Sequence, residues 1–74
     1  MQLTTQPWAV FLKQGLVAQG HSLNWLAHQV HLSPSTLSRM FRGHPDYKMT
    51  ERLMVEIAQR MQIPVEWIGF KEGG

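Results

Sequence analysis

Hydrophobic positions recur three and four apart in successive stretches of the chain, and residues that start or stop helices bound each stretch. The first stretch opens at Pro7, whose missing N–H and pre-set φ suit an initial helical position. It places Trp8, Phe11, Leu12 and Gly15 on one side with Leu16 at the edge, runs to about Ala18, and stops at Gly20, which suits a left-handed cap. Gly15 costs about 1 kcal/mol of helix propensity relative to Ala, so it marks a close approach by another helix. Ser22 caps a second helix with Leu23, Leu26, Ala27 and Val30 on one face. Ser33 and Pro34 start a third, whose buried face is Leu37, Met40 and Phe41 and which ends at Gly43. Thr50 caps a fourth, with Glu51 favourable to the dipole and Leu53, Met54, Ile57, Ala58 and Met61 turned inward. Pro64 opens a short last helix through Ile68, ended by Gly69, with Trp67 and Ile68 closing the core from below. The pattern predicts an all-α fold, a compact bundle of five short helices.

The outer face of the third helix is chemically distinctive. At about 100° per residue, Ser35, Ser38, Arg39 and Arg42 share the arc opposite Leu37, and Thr36 borders it. That arc has no acid and no large apolar residue. Arg reaches both major-groove acceptors of guanine or holds a phosphate, and Ser and Thr bond bases or phosphates at close range. A solvated helix face accounts for the same residues equally well, because Arg and hydroxyls are common on surfaces.

Residues Ser22 to Gly43 resemble the helix-turn-helix of the lambda-repressor-like family (Cro/CI, XRE-type), through Leu26-Ala27, Leu32-Ser33, Leu37 and Gly43. The likeness continues through Leu53, Ile57-Ala58, Met61, Ile63 and Trp67-Ile68, and covers the chain from about Trp8 to Gly69. The resemblance implies a helix-turn-helix at helices two and three, with a small Ala27 where they touch. It implies a sequence-specific double-stranded DNA-binding transcriptional regulator of phage or prophage type, with recognition helix Ser33–Arg42 in the major groove. Ser33, Ser35, Thr36, Ser38, Arg39 and Arg42 are then its candidate contacts. Tyr47, Lys48 and the amides after Thr50 are candidates for the phosphate backbone, and a Tyr47 packed under a solvated loop is an equal alternative.

The chain departs from that family at four positions. Many members pair a buried Arg late in helix one with a Glu near the end of the recognition helix; Leu16 and Phe41 stand there and are expected to touch, since a hydrophobic pair can replace a buried ion pair. His31 occupies a turn position that is usually left-handed and usually Gly. Trp25 stands where the family has a polar residue; folding back over a neighbouring loop or helix four is favoured over contact with DNA or a partner subunit.

Length and composition narrow the picture. Residues 1–74 make one domain, with 1–6 and 71–74 expected to be flexible ends. There is no Cys to staple so small a core, and no apolar run near the roughly 20 residues of a membrane span or laid out as a signal peptide. A cytoplasmic, nucleoid-associated protein encoded by a bacterium or phage is expected, without membrane contact. Net charge is +2 and uneven: in residues 1–48, Lys13, Arg39, Arg42 and Lys48 against Asp46 give +3, and three bases against four acids in 49–74 give −1. All four histidines also lie in the positive part. Residues 1–6 hold no Lys or Arg and so exclude a basic minor-groove arm.

His28 and His31 lack a third ligand at fixed spacing, so no metal, cofactor or small-molecule ligand is expected. An enzyme is disfavoured, since no nucleophile–base pair and no carboxylate dyad is evident. One reading head buries too little surface for regulatory affinity, so a homodimer on a near-palindromic operator is expected, with Val65 and Phe70 as candidate dimer contacts. The alternative is a protein-interaction module on the same fold, antitoxin-like or an adaptor, acting through Trp25 and the C-terminal apolar residues.

Overall fold

The computed structural model describes residues 6–71, so the expected flexible ends fall mostly on residues 1–5 and 72–74, outside the described residues. Gln6 is not free: its amide donates to the Phe41 carbonyl at 3.3 Å, tying the start of the chain to the end of the third helix. Four α-helices follow, α1 Pro7–Gln19, α2 Leu23–Gln29, α3 Pro34–Phe41 and α4 Glu51–Met61. Among the described residues there is no strand, and no helix is long and apolar enough to cross a membrane.

Hydroxyl caps start three of the helices. The Ser22, Ser33 and Thr50 side chains accept the Trp25, Thr36 and Leu53 amides at 3.0, 3.2 and 3.1 Å, each satisfying an N–H that the helix leaves unpaired. One device ends all four. Gly20, His31, Gly43 and Gln62 take left-handed φ of 74°, 60°, 77° and 58°. The next amide then reaches back to a carbonyl one turn inside the helix, as in His21 to Leu16 and Leu32 to Ala27, both at 2.9 Å. His31 thus adopts the conformation expected of it at the α2–α3 turn.

The core is one cluster to which every helix contributes. Ala9, Leu12 and Leu16 come from α1, Leu26 and Ala27 from α2, Leu37 and Phe41 from α3, and Met54, Ile57, Ala58 and Met61 from α4. Leu16 and Phe41 are both buried in it, and the Phe41 ring meets Trp8 edge-on at 5.2 Å. Gly15 is the expected point of approach: a Cβ there would lie 3.1 Å from Met61 Cε, and beside it Gln19 Nε2 donates to the Met61 carbonyl at 2.8 Å. Ala9 and Met49 are buried members that periodicity did not single out, whereas Met40, expected inside, is only half-buried.

The C-terminal segment departs most from expectation. The fifth helix is a single 3₁₀ turn, Val65–Trp67, between Pro64, which has no N–H to give, and Gly69 at φ 73°. Ile68 is buried and Trp67 is 66% exposed, so Ile68 alone closes the core. Phe70 is not left over either: it meets the Trp8 ring edge-on at 5.7 Å and packs against the cluster.

Candidate nucleic-acid interface

Leu37 and Phe41, four apart on α3, are fully buried, and this anchoring turns the opposite arc of the helix outward. Ser35 and Arg42 are exposed there, and Thr36, Ser38 and Arg39 are half-buried along its edges. Asp46 is the only acid before residue 51, so the face is uniformly cationic and hydroxyl-bearing. Ser33 stands apart from the others. Its hydroxyl accepts the Thr36 amide, donates to Thr36 Oγ1 at 2.7 Å and lies 3.4 Å from Ser35 Oγ, so it is occupied in starting the helix.

The loop after α3 folds back over this face. Gly43 reverses the chain and the His44 amide donates to the Arg39 carbonyl at 3.0 Å. The Asp46 amide donates to His44 Nδ1 at 3.1 Å, and the Tyr47 amide to the His44 carbonyl at 3.1 Å. These bonds carry the Tyr47 ring back to α3, with the Arg39 guanidinium carbon over it at 5.2 Å from its centroid and the His44 ring edge-on at 5.1 Å. Buried Met49 pins the far end of the loop and leaves Lys48 exposed between the two anchors.

Seven of the eight candidate contacts therefore lie on α3 or the loop folded over it with side chains at least partly accessible, and Ser33 lies at the helix start. His44 joins the group as a residue that sequence reasoning left as plain loop. The only signal for it was its place directly after Gly43, where the chain must turn back.

Trp25 is half-buried and stacks flat on His21 of the α1–α2 loop, with rings 3.8 Å apart and 4° from parallel. It borders a cleft of about 380 Å³ with Gln19, Arg60 and Gln62, and so packs over the neighbouring loop. Val65 is 37% exposed, which leaves it available as a contact, while Phe70 is half-buried against Trp8. His28 and His31 are exposed, and no group of three or more His, Cys, Asp or Glu suited to a metal ion occurs among the described residues. Comparison with known proteins finds no matching family model, no matching curated protein and no matching solved structure.

Proposed function

We propose that this chain is a sequence-specific double-stranded DNA-binding transcriptional regulator of the lambda-repressor-like, Cro/CI type. In this reading α2, the turn at His31 and α3 form a helix-turn-helix, and α3 enters the major groove. One observation carries it: α3 is fixed to the core by Leu37 and Phe41 while Ser35, Thr36, Ser38, Arg39 and Arg42 stand on its other side without an acid among them. Eight residues at 1.5 Å rise make a rod about 12 Å long, comparable with the width of the major groove.

Arg39 and the hydroxyls then read base edges, and Arg42 and Lys48 hold phosphates. The protein measures 33 × 24 × 20 Å and carries one such helix, so successive grooves about 34 Å apart require two copies, and we propose a homodimer on a near-palindromic site. Val65 and the exposed Trp67 are the C-terminal apolar residues most open to that contact, with Phe70 half-buried.

Selection from random duplex DNA, followed by titration of variants, tests this. Arg39→Ala should lose about 1–3 kcal/mol of discrimination against the wrong base. If Arg39→Ala and Arg42→Ala both bind the selected duplex as tightly as the parent, α3 is not the reading helix. The exposure of Trp67 favours a second reading, a protein-interaction module that has kept this fold. Capture of a protein partner that depends on Trp67 and is indifferent to Arg39 would decide for it.

A further inference from the structure

We infer that Tyr47 is a positioning residue for Arg39, holding its guanidinium in place for a guanine; this rests on the DNA-reading role proposed above. An arginine on a helix surface samples many rotamers, and a two-pronged contact with a base uses only a few of them. Arg39 is not left to sample freely. Its guanidinium carbon lies over the Tyr47 ring, 5.2 Å from the centroid, and the residue is half-buried. A ring held against a guanidinium attracts its charge while the N–H groups at the rim still point away, so the fork that matches guanine N7 and O6 stays available.

Tyr47 is itself held twice by His44, which is held in turn. Its amide is bonded to the His44 carbonyl at 3.1 Å, its ring meets the His44 ring at 5.1 Å, and His44 is locked by the Asp46 amide on Nδ1 and by its own amide on the Arg39 carbonyl. The chain from the Arg39 backbone through His44 and Tyr47 to the Arg39 side chain is a closed circuit. Arg42 shows the contrast, since it is exposed and none of the described ring or hydrogen-bond contacts involves its side chain. A fixed fork suits a base edge and a freely moving charge suits phosphate, so Arg39 and Arg42 divide the two duties. In this role Tyr47 acts through its ring, and its hydroxyl is dispensable.

The test compares Tyr47→Phe and Tyr47→Ala, each alone and with Arg39→Ala, on the selected duplex and its single-base-pair variants. Tyr47→Phe should keep the parent's discrimination. Tyr47→Ala should lower it about two- to fivefold at the base pair that Arg39→Ala also affects, with the salt slope unchanged. In the Arg39→Ala background it should change nothing further. A Tyr47→Phe protein that binds all sequences more weakly with the salt slope unchanged would mean a hydroxyl-to-phosphate contact and overturn the inference, as would a Tyr47→Ala protein that discriminates like the parent. A measurement without DNA separates this inference from the functional reading beneath it. In the folded protein the Arg39 guanidinium N–H protons, carried on nitrogens bonded to the carbon over the ring, should resonate upfield in the parent and Tyr47→Phe, and at ordinary positions in Tyr47→Ala. Absence of that shift in the parent overturns the positioning role alone; its presence in a parent that selects no duplex overturns the DNA-reading role and the positioning role that depends on it.

Discussion

At Gly15 a missing side chain decides how closely α1 and α4 approach, and two opposing effects of similar size meet there. Replacing Gly by Ala in a helix interior gains about 1 kcal/mol of propensity. The new Cβ would lie 3.1 Å from Met61 Cε, closer than such contacts normally run. The atom that must yield is the last methyl of an unbranched side chain, although Met61 is itself fully packed. Gly15→Ala should therefore stabilise the protein by less than about 1 kcal/mol, whereas Gly15→Val, whose further methyls reach the α4 side chains, should destabilise it by about 1–3 kcal/mol. Thermal unfolding followed by circular dichroism checks this. A melting temperature that falls by several degrees for Ala would mean that Met61 has no room to move.

Among the elements, α3 is the one whose start and exposed face have different owners. Ser33 stands next to the proposed DNA-facing residues, yet its hydroxyl is held by the Thr36 amide and hydroxyl. Ser33→Ala should destabilise by about 1 kcal/mol, a melting shift of about 4–8 °C in a domain of this size. It should leave discrimination among duplexes unchanged, and a variant that melts like the parent but loses discrimination would return Ser33 to the base-reading set. The sequence pattern made the helix starts legible because capping is local chemistry: a hydroxyl and an amide three residues on are all it takes. The left-handed turn at His31 was legible only through the resemblance, since nothing local to a histidine asks for a positive φ. The inward faces of α1 and α4 were legible from spacing, although Ala9 and Met49 were missed because a small residue and a loop methionine carry no periodic signal. Trp67 was misplaced because two apolar neighbours in one short turn carry no period to say which of them faces inward, and Ile68 takes that place. The Arg39–Tyr47–His44 cluster was not legible, since each residue's spacing is compatible with plain solvent exposure. What joins them is a three-dimensional reversal at Gly43.

For the molecule as a whole, charge sets how strongly the proposed complex responds to salt. Net charge is only +2, and outside the α3 face the bases are offset by the acids of residues 49–74. If Arg39 is committed to a base, the cations left for phosphate on that face are Arg42 and Lys48, both exposed. Each neutralised phosphate contributes a slope of about −0.9 in log affinity against log salt, so one head should give about −2 and a two-headed complex about −4. That is shallow for a DNA-binding protein, and it follows from where the few charges stand rather than from their total. Lys48→Ala should make the slope shallower by about one per head and weaken every duplex alike, because the residue lies on the loop and off the base-facing arc. A titration of the selected duplex between 50 and 200 mM salt measures the slope directly. A slope near zero would mean that the α3 face meets no phosphate. If Lys48→Ala instead altered the preference among sequences while leaving the slope as it was, the loop would be reading bases and the docking of α3 would have to be redrawn.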